Sequence, residues 1–170
     1  MITKPSAEEA KSLIHRLYAE GINRQNPSAA AGFYAEDALN HGRVVGRAGM
    51  QRVFEALFSI FPDFYYRIEN ETAEGDRVVC KVMMTGTHLG EPTMPEIFHG
   101  MLKGIAPTGK KVQVLQYHDF LIRGGMIAEH AAVRDDLGML LQLGIVRGRR
   151  MKKSPQSLAR AHLKNKINRR

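Results

Sequence analysis

The candidate proton-transfer residues of this sequence are four of its seven histidines: His41, His88, His118 and His130. An imidazole titrates close to neutral pH, so it can accept or donate a proton there without a large shift of its pKa. What these histidines can do depends on whether they point into a common interior. The alternation of side chains along each predicted strand indicates which of them do.

His118 and His88 lie on the apolar faces of two long predicted strands. His118 lies two residues from Phe120 and at an even spacing from the other apolar residues on its face of the strand. His88 lies at an even spacing from Val82 and Met84. Side chains two residues apart share a face of a strand, so both imidazoles are predicted to point inward. Two inward imidazoles on adjacent strands indicate acid–base chemistry more strongly than a single inward imidazole would.

The pattern places the other two histidines less firmly. His130 shares its face with the small residue Ala132, and His41 follows Asn40 in a predicted loop at the rim. Each of the four histidines has an alternative interpretation as a hydrogen-bonded residue of the core or of a loop. Several pocket histidines could also ligate zinc or iron, but no inward carboxylate or close helical spacing accompanies them, so we predict neither a metal site nor a cofactor.

Helices come first in the chain and strands follow. Apolar residues at helical spacing predict helices over 6–23 and 46–60, and Pro5, Ser6 and Glu9 form a capping box at the start of the first. Asn26-Pro27-Ser28 begins a second short helix that is expected to end near Tyr34. Alternating patterns predict strands over 65–73, 77–87, 111–122 and 126–134, and a last helix is predicted over 135–143. This order is typical of an α+β domain with an antiparallel meander.

A series of short signatures follows the same order as these elements. They are Phe61-Pro62-Asp63, Glu74-Gly75-Asp76-Arg77-Val78-Val79, Gly86-Thr87-His88-Leu89-Gly90, Pro107-Thr108-Gly109-Lys110 and Gln142-Leu143-Gly144. In this order and spacing they resemble the SnoaL-like polyketide cyclases, also called ester cyclases. The resemblance implies the cone-shaped α+β barrel of the nuclear-transport-factor-2-like superfamily, in which a curved antiparallel sheet wraps around N-terminal helices and encloses one deep apolar pocket.

The resemblance also assigns residues. It implies that His118 is the strand histidine, that Asn40 holds the substrate, and that the aspartate which takes the acidic proton of a 1,3-dicarbonyl falls on Ala132. An alanine cannot abstract a proton, so another group must replace it or the aldol closure does not occur. The candidate replacements are His118 itself, His130, Glu129 and Asp135.

Two functions remain open at this point. The first is a cofactor-independent enzyme of the cyclase or isomerase type that performs acid–base chemistry on a hydrophobic carbonyl compound, with His118, His88 and His130 as catalytic residues. The second is a non-catalytic ligand-binding or interaction module on the same fold, which Ala132 favours. In either case the predicted pocket-lining and substrate-binding residues are Asn40, His41, Tyr18, Ile22, Phe54, Phe58, Val82, Met84 and Phe120. The apolar insertion at 91–103 is interpreted as a lid, a dimer contact or a surface loop.

The charge of the chain is concentrated at its end. The formal net charge is +8, but ten basic residues and no acidic ones lie within 147–170, so the rest of the chain is at about −2. We therefore predict a cone-fold domain over 1–146 and a basic tail over 147–170 that makes weak contacts with polyanions. An apolar outer sheet face predicts a homodimer, and the absence of an apolar leader or spanning run predicts a cytoplasmic protein.

Overall fold

A computed structural model describes residues 4–94 and 97–147 of the chain. The four α-helices are α1 (Ala7–Arg16), α2 (Pro27–Ala31), α3 (Gly46–Ile60) and α4 (Asp136–Leu143). The six strands are β1 (Tyr34–Asn40), β2 (Arg43–Val44), β3 (Tyr65–Glu74), β4 (Arg77–Thr87), β5 (Lys111–Arg123) and β6 (Met126–Arg134). None of the described helices is long and apolar enough to cross a membrane.

The strands form one curved sheet in the order β2-β1-β6-β5-β4-β3, and the helices pack on its inner face. The sheet remains open, with β2 and β3 at its edges. The predicted α+β class is confirmed. Neighbouring strands are antiparallel except for β1 and β6, which run parallel, so the sheet is mixed rather than a pure meander.

The alternating patterns locate the long strands accurately. The bounds of β4 and β6 coincide with the predictions, and those of β3 and β5 extend one residue further. Along β4 the residues of one parity are fully buried while their neighbours are partly exposed. This alternation fixes the face of the sheet that contributes to the core.

The prediction for the segment after the second helix was wrong. The helix ends at Ala31 rather than near Tyr34, and the predicted loop is strand β1, which pairs with β6 and brings Asn40 beside His130. The strand was missed because its residues, Tyr-Ala-Glu-Asp-Ala-Leu-Asn, are mostly poor strand formers with little alternation. Its parallel pairing with β6 comes from tertiary packing, which local patterns do not contain.

The first helix begins with the predicted capping box. The backbone N–H of Glu9 donates to the Ser6 hydroxyl over 3.3 Å, and the Ser6 N–H donates to the Glu9 carboxylate over 2.8 Å. After α1 the chain widens into a π-helical segment, Leu17–Ile22, which presents Tyr18 and Ile22 to the interior. Local widening of this kind often occurs at functional sites.

Part of the 91–103 insertion folds against the body of the domain. It forms a single 3₁₀ turn, Ile97–Gly100, which contacts α3, and Phe98 and Leu102 are buried. Residues 95–96 and nearly all of the predicted basic tail lie outside the described residues.

Candidate functional site

A cavity lies between α3, the π-helical segment and the inner faces of β5 and β6. Its apolar lining residues include Leu17, Ile22, Met50, Val53, Phe54, Leu57, Ile97, Phe98 and Phe120. The centres of water molecules can occupy about 70 Å³ of this cavity. Because one water needs roughly 10–15 Å³ of such space, there is room for about five waters or one small aromatic ring.

A chain of hydrogen-bonded polar side chains crosses one wall of the cavity. Tyr66 donates its hydroxyl proton to Gln116 Oε1 over 2.9 Å, and the same oxygen lies 2.9 Å from His118 Nε2. His118 Nδ1 is 3.0 Å from His130 Nε2, and His130 Nδ1 is 2.9 Å from Asn40 Oδ1. The two imidazoles are therefore in direct contact, with a side-chain amide at each end of the pair.

The amide of Gln116 determines where the protons of a neutral histidine pair lie. Its oxygen accepts the N–H of His118 Nε2, so Nδ1 of a neutral His118 is an acceptor and receives the Nε2 proton of His130. A neutral His130 then presents its remaining lone pair at Nδ1, beside Asn40. The basic nitrogen of the pair is thus at the Asn40 end of the chain.

Asn40 can bond to His130 in either protonation state. Its oxygen accepts from Nδ1 when that nitrogen carries a proton, as the observed 2.9 Å contact allows. A half turn of the amide brings its N–H group to the bare lone pair instead. The strand pairing that sets Asn40 directly opposite His130 holds the amide at the correct distance.

The surroundings keep both imidazoles neutral near pH 7. Burial lowers the pKa of His118 from 6.5 to about 3, and the charges of Arg134 and His41 act in the same direction. Burial and the adjacent His118 ring lower the pKa of His130 well below 6.5. Two protonated rings in contact would repel each other at low dielectric, so the pair resists holding two extra protons.

Tyr18 contributes an unpaired hydroxyl to the cavity. Its side chain is only 3% exposed, and its oxygen has no hydrogen-bond partner among the described residues. The Tyr18 ring meets the edge of His118, with centroids 6.4 Å apart. Burial raises the pKa of Tyr18 well above 10.0, so the hydroxyl remains a proton donor. A buried donor without a partner is costly unless a bound molecule satisfies it.

Strand β6 also places Ala132 and Arg134 on the cavity wall. Ala132 lies directly opposite His118 in the strand register, which is where the resemblance would put a carboxylate. Arg134 bonds to the Asp136 carboxylate through Nε, over 3.1 Å, and Nη2, and its guanidinium lies 5.0 Å from the centre of the Phe98 ring. Neither Arg134 nor Gln116 was predicted as a site residue, although both share the strand parity of the predicted histidines.

Several predicted residues lie along the cavity, and others do not. Those on the wall are Asn40, His41, Tyr18, Ile22, Phe54, Phe120, His118 and His130. Phe58, Val82 and Met84 are buried in the hydrophobic core but do not line the cavity. His41 lies at the exposed rim, where its backbone N–H donates to the carbonyl of His130 over 2.8 Å.

His88 does not join the other histidines. It follows the last residue of β4, and its Nδ1 accepts from the backbone N–H of Thr108 over 3.2 Å. Its ring is fully buried beside Phe61, at 5.9 Å between centroids. Burial lowers the pKa of His88, which keeps it neutral as well.

The other candidate replacements for the missing base have different positions. The Asp135 carboxylate caps α4 by accepting the backbone N–H of Gly138 over 2.8 Å, and Glu129 does not line the cavity. Within the described part of the chain, no three histidine, cysteine or acidic side chains are arranged to hold a metal ion.

The open mixed sheet, the helices packed on its inner face and the apolar cavity between them match the nuclear-transport-factor-2-like fold expected from the sequence. The sequence model of the SnoaL-like polyketide cyclase family matches residues 12–143. The chain therefore belongs to the SnoaL-like polyketide cyclase family. No curated protein sequence matches it.

Solved structures support this assignment. AclR from Streptomyces galilaeus, a proposed hydroxylase, is 27% identical with a TM-score of 0.68, and the match covers 83% of this chain and 99% of AclR. IdmH from Streptomyces antibioticus, a proposed polyketide cyclase, is 26% identical with a TM-score of 0.64, covering 79% of this chain and 98% of IdmH. A proposed SnoaL-like polyketide cyclase from Jannaschia sp. CCS1 shares the fold at 22% identity, with a TM-score of 0.69 and coverage of 86% and 99%.

Proposed function

We propose that this protein is a cofactor-independent enzyme in which the His118–His130 pair performs acid–base chemistry on a hydrophobic carbonyl compound. The observation that carries the proposal is the 3.0 Å contact between His118 Nδ1 and His130 Nε2 beside an apolar cavity. This pair replaces the carboxylate that the family pattern would place at Ala132. Desolvation keeps the pair unprotonated at pH 7, so a ring lone pair is present for a substrate proton.

His130 is the better candidate for direct contact with a substrate. His118 is 5% exposed and both of its ring nitrogens are bonded within the protein, whereas His130 is partly exposed and its Nδ1 faces Asn40 near the rim. When a substrate displaces the Asn40 contact, the Nδ1 lone pair becomes available. His118 then assists His130, because its Nδ1 accepts the hydrogen bond from His130 Nε2. This bond disperses the positive charge that His130 acquires.

The proposed reaction is an intramolecular aldol closure. His130 Nδ1 takes a proton from the carbon between two carbonyl groups, and the C–H electrons form an enolate. The Tyr18 hydroxyl, which lacks a partner in the described structure, donates to the enolate oxygen. The enolate carbon bonds to a second carbonyl carbon of the same molecule, and the new alkoxide takes the proton back from His130.

A binding module remains the second candidate, and a specific observation favours it. All four ring nitrogens of His118 and His130 already lie within hydrogen-bonding distance of protein atoms. A closed chain of this kind also occurs in purely structural networks. Under this second function the cavity would hold a hydrophobic ligand without changing it.

Turnover distinguishes the two functions. Wild type, His118→Ala and His130→Gln would be assayed against small acyclic 1,3-dicarbonyl compounds that carry a further ketone, with ring closure followed by mass spectrometry and NMR. The matched control is His15→Gln, which replaces an exposed histidine of α1 that contacts Glu71 outside the cavity. The enzyme proposal expects closure by wild type and the control, with a loss of about 100-fold or more in the other two variants. Binding of these compounds with no closure by wild type would support the binding module instead.

A further inference from the structure

The charge of the cavity wall is unbalanced. Among the described lining residues, Arg134 is the only one with a permanent charge, and none is a carboxylate. The side chain of Arg134 is 17% exposed, so water screens its charge only partly. The charge of Arg134 acts within the cavity, since it lowers the pKa of His118. It also lowers the pKa of Tyr66, although burial raises that pKa by more.

Among the described residues, only Asp136 forms hydrogen bonds with the Arg134 guanidinium, and it does so along one edge. Asp136 accepts from Nε at 3.1 Å and from Nη2 at 3.4 Å, which is side-on pairing. A guanidinium has five N–H donors, so the edge formed by Nη1 and the second Nη2 proton is left. The described residues supply no hydrogen-bond partner for Nη1, and the face of the group rests on the Phe98 ring, which also lines the cavity.

An acceptor oxygen of a bound molecule would complete this arrangement. A guanidinium in a partly desolvated site favours a carboxylate, an enolate or a phenolate over a neutral group of the same shape. The aromatic and aliphatic walls would take the apolar body of such a molecule.

We propose that Arg134 is a substrate-binding residue that selects hydrophobic compounds in an anionic or readily enolised form, by pairing its free edge with the anionic oxygen. This inference deepens the proposed function by naming the class of substrate. It also explains why the carboxylate position opposite His118 is an alanine, since an aspartate at Ala132 would compete with the substrate oxygen for Arg134.

The test is equilibrium binding of two small probes of equal shape, benzoate and benzamide, followed by protein NMR titration at pH 7.5. Each has one aromatic ring, which matches the size of the cavity. We expect wild type to bind benzoate at least about tenfold more tightly than benzamide, because a hydrogen bond to a charged group is worth about that factor or more. Arg134→Gln should remove the preference, and Arg134→Lys should retain part of it.

A second variant moves binding in the opposite direction. Asp136→Asn removes the carboxylate that partly neutralises Arg134, so it should tighten benzoate and leave benzamide unchanged. If the only role of Arg134 were to hold α4 in place through Asp136, neither Arg134→Gln nor Asp136→Asn would change the ratio of the affinities for benzoate and benzamide. Equal affinities in wild type, or no binding of benzoate at millimolar concentration, would overturn the inference. Failure of every turnover assay would instead refute the proposed enzyme and leave this charge preference intact.

Discussion

Replacing His118 by glutamine should make the protein less sensitive to mild acid. In the folded protein His118 is 5% exposed and burial lowers its pKa to about 3, whereas in the unfolded chain it titrates near 6.5. Between these values the unfolded state binds a proton that the folded state does not. The free energy of unfolding therefore falls as the pH drops below 6.5.

The size of the effect follows from the two pKa values. A pH of 5 is about 1.5 pH units below the pKa of His118 in the unfolded state. Each pH unit below that pKa lowers the free energy of unfolding by about 1.4 kcal/mol. Lowering the pH from 7.5 to 5 therefore reduces the free energy of unfolding by about 2 kcal/mol through His118 alone. His130 contributes with the same sign because its pKa is also lowered. This pH window stays above the range in which most carboxylates titrate.

The assay is urea unfolding of wild type, His118→Gln and the surface control His15→Gln at pH 7.5 and 5. On acidification, His118→Gln should lose about 2 kcal/mol less stability than wild type, and His15→Gln measures what loss of an exposed histidine alone changes. Glutamine also breaks the contact with His130, so its stability at pH 7.5 is expected to be lower than that of wild type. An equal loss in all three proteins would refute the claim that His118 is buried and neutral.

The remaining predictions concern the cavity wall and the outer sheet face. Tyr18→Phe removes a hydroxyl without a described partner and should leave stability unchanged or raise it by up to about 1 kcal/mol, whereas Tyr66→Phe breaks the bond to Gln116 and should cost about 1 kcal/mol in urea unfolding. Ala132→Asp places a carboxylate opposite His118 and should raise the pKa of His118 by about 1–3 units in an NMR titration; an unchanged pKa would contradict the register. We also expect a homodimer formed through the outer face of the sheet, and a monomeric mass in light scattering at micromolar concentration would refute it.

Much of the fold could be predicted from local patterns. Strict alternation located β4 and β6 at their observed bounds, and the Ser6–Glu9 capping box located the start of α1. Such signals are local because they arise from the period of one element or from the donors at a helix end. Strand β1 carries no such signal, so its pairing with β6 could not be predicted.

The same distinction applies to the site. His118 was predicted to point inward from strand parity, and it does. His88 was assigned to the same interior by extending that parity past Thr87, where β4 ends. It is fully buried, but it lies beside Phe61 and Thr108 and does not line the cavity. The contact between His130 and Asn40 depends on the unpredicted strand β1, so the basic end of the histidine pair could be identified only in three dimensions.

Proton abstraction by His130 is the central claim, and the exchange of carbon-bound hydrogen with deuterated water tests it most directly. Phenylacetone is a suitable probe because it has one aromatic ring and acidic hydrogens next to a carbonyl, and NMR follows the exchange without requiring ring closure. Wild type and His15→Gln should catalyse the exchange above the buffer rate, and His130→Gln should lose about 100-fold or more of that catalysis. Exchange at the buffer rate in wild type, or equal catalysis by wild type and His130→Gln, would contradict the claim.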